Sequence, residues 1–134
     1  MPRDPYDMSD LDRWPSSWSG TSSDMKTGEQ IVDLFRPFLL HLRSKAVSPR
    51  TFRRHLDNLW MLGGELIRQS YYDQRIRRSP ERVLLEYAEF GEAPLLRGAT
   101  EREQEGVDAT VRAFMRFRRA ARSPSAPRGD LQRP

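Results

Sequence analysis

His41 and His55 are the only imidazoles among the 134 residues, and imidazole is the side chain that most readily takes and gives a proton near neutrality. They fall in separate helical segments, with neither a cysteine nor a carboxylate cluster at metal-ligand spacing. His41 is placed to meet the last carbonyls of its helix and His55 stands beside arginines, so both read as structural. Tyr71 and Tyr72 offer hydroxyls, but no arginine and histidine motif surrounds them to make either a nucleophile. Glu101, Glu103 and Glu105, at spacing two, cannot meet on one helix face as a paired acid and base, and they suit a first helical turn. Gly63-Gly64 follows no strand and lies inside an apolar helical period, which excludes a phosphate-cradling loop. That pair is either a place where another helix crosses closely or a weak point, since glycine costs about 1 kcal/mol against alanine in a helix. The residues point to a protein without catalysis, cofactor or metal.

Arginine is the more informative residue type. Lys and Arg total 23 against 19 Asp and Glu, a net charge of +4, and Lys26 and Lys45 are the only lysines. Along one helix Arg50, Arg53 and Arg54 fall within an arc of roughly 100°, while Phe52, Leu56 and Leu59 point away from it. Arg43 and Lys45 extend this cationic ridge at its amino end, where a helix dipole also attracts anions. Arg112, Arg116 and Arg119 recur at steps of four and three opposite Val111 and Phe114, giving a second ridge, whereas Arg118 sits near the apolar side. Backbone phosphates are the chemistry two such ridges would engage; a solvated arginine-rich surface is the plain alternative.

Four helices must position these residues. Ile31, Leu34, Phe35, Phe38, Leu39 and Leu42 mark one from about Thr27 to Ser44, with Pro37 expected to kink it. After a Lys45-Ala46-Val47 turn, Ser48-Pro49 is a helix start, with Val47 placed to staple onto Phe52. Residues 70–78 read as a polar connection, and Ser79-Pro80 repeats the start signal for a helix running to about Phe90, stopped by Gly91. A loop with an expected buried Leu95-Leu96 pair leads to Thr100 and Glu103, a capping box that opens a last helix to about Arg122. The fold class is all-α, a compact four-helix orthogonal array over residues 26–122.

The ends have a different composition. Residues 1–25 mix Pro, Ser, Gly and Asp without an apolar period and carry a net charge of −3, leaving +7 for the remainder. They read as a disordered acidic tail, with Trp14 and Trp18 either loosely collapsed or forming a docking turn. Residues 123–134, with Pro124, Pro127, Gly129 and Pro134, read as a second disordered tail. Absence of cysteine excludes disulfides and thiolate sites, and together with the lack of a long apolar run or a basic-then-apolar start it suggests a cytoplasmic protein without a membrane partner.

The stretch from Phe38 to Leu56, with Phe38-Leu39-Leu40-His41-Leu42, then Ser48-Pro49-Arg50-Thr51 and Arg53-Arg54, resembles the amino-terminal core-binding domain of tyrosine recombinases, the phage integrase family. Asp108 to Phe117 is similar to that family's closing helix, and the likeness covers about 40–120. The resemblance implies a DNA-clamping helical module in which Arg50, Arg53 and Arg54, followed by Arg43 and Lys45, contact duplex DNA. The family's catalytic domain supplies an arginine, a lysine, a His-x-x-Arg motif and a tyrosine nucleophile, and no position here matches them. The expected function is a non-enzymatic double-stranded-DNA-binding module, an accessory or regulatory factor of a mobile-element recombination system with a recombinase as possible protein partner. The alternative is a protein-interaction module, an accessory subunit or antitoxin-like partner, using the Trp14 and Trp18 tail or an apolar groove near Trp60 and Leu95.

Overall fold

The computed structural model describes residues 4–122. In chain order these form a 3-10 turn (Ser9–Arg13) and helices α1 (Trp14–Trp18), α2 (Ser22–Ser44), α3 (Pro49–Gln69), α4 (Arg75–Arg78), α5 (Pro80–Ala88) and α6 (Glu101–Arg122), with no strand among the described residues. The all-α expectation holds, and the four helices it named are α2, α3, α5 and α6.

Local chemistry sets the helix starts. Ser48 Oγ accepts from the Thr51 amide and Ser79 Oγ from the Arg82 amide, each followed by a proline at the first helical position. Thr100 and Glu103 exchange both capping-box bonds, at 2.9 and 3.1 Å. A capping box that sequence reading missed, Thr21 with Asp24, starts α2 at Ser22 instead of about Thr27. The helix then runs unbroken through Pro37, which is exposed, so its missing amide faces solvent instead of the core.

Phe35, Phe38, Phe52 and Phe114 are fully buried and form the centre of the core with Leu59, Leu62 and Leu66 of α3 and Val107 and Val111 of α6. Phe114 meets both Phe35 and Phe38 edge-on, with centroids 6.0 and 5.8 Å apart, an arrangement favoured by the ring quadrupoles.

Three expectations are corrected. The first is the disordered tail over 1–25. Residues 4–25 are folded: Leu11, Trp14 and Pro15 are buried, and α1 packs against both α2 and α3. Its apolar residues lack a helical period because their slots are provided by glycines elsewhere, Gly28 under Pro15 and Gly63 under Trp18. The second is the connection 70–78, which contains one helical turn, α4, anchored by fully buried Ile76. The third is the Leu95-Leu96 pair: Leu96 is buried, but Leu95 is 78% exposed, because neighbouring side chains on an extended loop point oppositely. The expected tail at 123–134 lies outside the described residues.

Candidate nucleic-acid interface

The turn between α2 and α3 places the first group of cations. Ala46 adopts φ +52° at the end of α2, and the Ala46 and Val47 amides return to the Arg43 and Leu42 carbonyls, closing the helix with a Schellman motif. The chain therefore reverses within three residues. Arg43 and Lys45 leave one helix where Arg50, Arg53 and Arg54 begin the next, and all five side chains are exposed. None of the five has a hydrogen-bond or ion-pair partner among the described residues. Asp57, also exposed, follows one turn after Arg53 and Arg54 on the same helix face and limits the ridge towards its carboxyl end.

The second ridge divides. Arg112 donates to the Gly91 carbonyl at 2.9 Å, and Arg119 lines a shallow groove against α5 with Glu86 and Glu89. Arg116 is exposed. Burial lowers the pKa of His55 below its ordinary 6.5, and the charges of Arg54 and Arg116 lower it further, so the imidazole lies in the field of one cation from each helix. Arg118 pairs with Glu81 and lies over the Phe114 ring, 5.7 Å from its centroid, which explains an arginine on the inner side of α6.

Between those cations lies a polar seam that sequence reading did not find. Asn58 Nδ2 donates to Thr110 Oγ1 at 2.9 Å and to the Gly106 carbonyl at 3.0 Å, and Thr110 Oγ1 is 2.9 Å from His55 Nδ1. The set is satisfied when the Thr110 hydroxyl donates to a neutral imidazole, consistent with the depressed pKa. His55 is therefore a buried structural residue that fixes the register of α3 against α6. His41 stacks on Phe117 with centroids 4.9 Å apart. Its expected contact with the closing carbonyls of α2 is not present; its own carbonyl instead receives the Ser44 hydroxyl.

Two further carboxylates are used internally. Asp24, fully buried, accepts from Tyr71 Oη, the Gly20 and Thr21 amides and Arg77 Nη2. Burial pushes its carboxyl up, but the Tyr71, Gly20, Arg77 and Thr21 donors outweigh this and hold the pKa at about 2. Glu65 accepts from Arg68, Gln69 and the Arg97 amide, tying α3 to the loop before α6. That loop is gripped again by residues spaced four apart on α6: Gln104 bonds to Pro94 and Leu96, Asp108 to Ala93, and Arg112 to Gly91.

A cleft of about 620 Å³ lies between the 3-10 turn and α3. Leu11, Trp14, Leu56 and Trp60 give it an apolar lining, and Asp7, Asp10, Asp57, Arg13 and Arg53 a charged one. Among the described residues no group of three or more His, Cys, Asp or Glu could hold a metal ion, and no helix is long and apolar enough to cross a membrane. Trp14 and Trp18 face inward against one another, 5.8 Å between centroids, and so do not form a free docking turn. No protein-family model, no curated protein and no solved structure matches this chain.

Proposed function

We propose that the chain is a non-enzymatic module that binds double-stranded DNA in the cytoplasm, acting as an accessory or regulatory factor in mobile-element recombination. The observation that carries this reading is the cluster of five exposed cations at the α2–α3 turn, none with an ion-pair partner among the described residues. Arg43, Lys45, Arg50, Arg53 and Arg54 form the surface that phosphates on a duplex would engage, and exposed Arg116, whose charge bears on the same His55 as that of Arg54, would extend it onto α6. Arg112 and Arg119 lie at its margin, since one is already bonded to Gly91 and the other faces carboxylates. The resemblance of the sequence from Phe38 to Leu56 to an integrase core-binding domain supports the mobile-element role, with a recombinase as the protein partner.

The test is the salt dependence of duplex affinity. Each phosphate contact adds about 0.9 to the slope of log affinity against log salt, so Arg50, Arg53 and Arg54 changed together to Ala should flatten it by roughly two to three units. The thermal midpoint should stay nearly constant, because the three side chains are exposed. Unchanged affinity and slope would return the ridge to solvated surface.

A second reading, a protein-interaction module, is favoured by Phe90 and Leu95. They are 79% and 78% exposed on the loop that Gln104, Asp108 and Arg112 hold in place. A pre-ordered loop presenting apolar side chains suits a protein partner, because little freedom is lost on docking. Phe90 and Leu95 changed together to Ser would abolish such binding while leaving duplex affinity intact.

A further inference from the structure

The segment expected to be an unattached acidic tail crosses the cationic turn. Tyr6 Oη donates to the Val47 carbonyl at 2.5 Å, and the Tyr6 ring meets Phe52 edge-on with centroids 5.2 Å apart. Val47 directly precedes the α3 cap Ser48, two residues after Lys45, and Phe52 lies between Arg50 and Arg53 in the sequence. A turn in which the Tyr6 amide donates to Asp4 Oδ1 and the Asp7 amide to the Asp4 carbonyl holds Asp4 and Asp7 on either side of this anchor. The chain then enters the cleft beside α3, where Asp7 and Asp10 line the same walls as Arg53. The firm hold comes only afterwards, at fully buried Leu11 and at Trp14.

We infer that residues 4–10 are an acidic strap that lies over the duplex-binding surface and must lift for phosphates to reach it, an inference that rests on the DNA-binding reading of that surface. Two features divide the segment into a releasable and a fixed part. Residues 4–10 are mostly exposed, with the half-buried Tyr6 and Met8 as their packed side chains, whereas 11–18 insert Leu11 and Trp14 into the core. Lifting the strap undoes, among its contacts, the hydrogen bond and ring contact at Tyr6, the packing of Met8, the Arg13–Asp10 ion pair and the bond from the Leu11 amide to the Met8 carbonyl that opens the 3-10 turn. Asp7 and Asp10 line the cleft beside Arg53 and offset its positive field, at high effective concentration because both are on one chain, so duplex phosphates must overcome that field to engage the surface. The strap thus sets a threshold: an isolated phosphate would not displace it, whereas a duplex engaging several cations at once would.

The experiment compares four variants binding a 20-base-pair duplex in moderate salt. Tyr6→Ala removes the anchor without changing charge, and Tyr6→Phe removes only its hydroxyl should the alanine variant fold poorly. Asp7→Asn with Asp10→Asn removes two strap charges, and Glu29→Gln with Asp33→Asn removes two from the exposed face of α2 as the charge control. The strap variants should bind about tenfold more tightly than the wild type and the control less than about threefold. Amide exchange at residues 5–10 should quicken when duplex is added, while that at 11–18 stays slow. Strap variants indistinguishable from the control overturn the strap alone, provided the Arg50, Arg53 and Arg54 triple variant has lost affinity. If that triple variant binds like the wild type, the surface itself is wrong and the strap falls with it.

Discussion

The Trp18 indole occupies the space that a side chain at Gly63 would need: a methyl group there would lie 2.2 Å from Cη2 and 2.3 Å from Cζ2. The indole is also held in the plane of α3 by polar contacts, its Nε1 donating to the Trp60 carbonyl and Trp60 Nε1 donating to Ser17 Oγ, both at 3.1 Å. An amino-terminal turn of five residues, far too short to be stable by itself, is thereby attached to α3 at Gly63.

Gly63→Ala should cost about 2–3 kcal/mol in urea unfolding, because the added methyl collides with ring carbons that cannot move without vacating a buried slot. Gly64→Ala should be near neutral. Its methyl would stand 3.3 Å from Trp18 Cδ1, a tight contact whose small cost is offset by the gain of about 1 kcal/mol in helix propensity. The decisive measurement is Gly63→Ala in a Trp18→Ala background, where the collision partner is gone and the same methyl should stabilise by about 0.5–1 kcal/mol. No reversal of sign would mean that the indole does not occupy this slot.

Deleting residues 1–18 should lower stability by about 3–6 kcal/mol, the scale of losing buried Leu11 and Trp14 and uncovering the glycine faces beneath Pro15 and Trp18. A denaturation midpoint that hardly moves would show that the core is complete without this segment. Deleting only residues 1–9 should cost far less, since Tyr6 and Met8 are the only side chains of 4–9 packed against the core.

The helix starts could be read from the sequence because a cap is a local object: Ser48, Ser79 and Thr100 each bond to an amide three residues on. The packing of Pro15 and Trp18 could not, since it depends on residues that lack side chains on other helices, Gly28 and Gly63. Glycine in a helix was open to two readings, a close crossing or a weak point, and what crosses there is an indole. The exposure of Arg50, Arg53 and Arg54 follows from helical phase, but the combined effect of Arg54 and Arg116 on His55 is a product of α3–α6 packing through His55, Asn58 and Thr110. Asp24 looked like one acid among five in a tail. Only its distant partners Tyr71 and Arg77 make it the buried carboxylate that closes the amino-terminal segment onto the α3–α4 connection.

Asp24 makes stability depend on acid in a defined window. Its carboxyl falls from 3.8 to about 2 on folding, so its contribution, about 2 kcal/mol, is complete above 3.8 and is lost as the pH falls from there towards 2. Tyr71→Phe removes one donor while keeping the ring under the Arg77 guanidinium, 5.1 Å from its centroid. The variant should lose about 1–2 kcal/mol at pH 7 and approach the wild type at pH 2, as read from urea unfolding at both. An equal loss at the two pH values would assign the effect to packing.

Ala46→Gly should raise stability by about 0.5–1 kcal/mol. The Schellman closure of α2 places Ala46 at φ +52°, where an alanine Cβ is strained and glycine is not. Thermal unfolding at matched pH decides the sign, and a loss would mean that the turn tolerates alanine without strain.

His55 provides a gauge of the proposed surface from inside it. Its pKa is lowered first by burial and then by Arg54 and Arg116, so each of the substitutions Arg54→Ala and Arg116→Ala should raise it while leaving it below 6.5. A folded-state pKa below the unfolded value means that His55 contributes stability above 6.5 that is lost as the pH falls through 6.5 towards the folded value, and both substitutions should shrink that loss. Duplex phosphates placed on the same two arginines would neutralise their field and raise the His55 pKa in the same direction. A pKa higher in the complex than in the free protein requires proton uptake on binding, so duplex affinity should increase as the pH drops through the His55 titration, beyond the response of a His55→Gln variant. The imidazole carbon-bound proton resonances report this titration directly, with and without duplex. If the resonances titrate identically in the two states while the duplex is bound, Arg54 and Arg116 are not the groups that hold the phosphates.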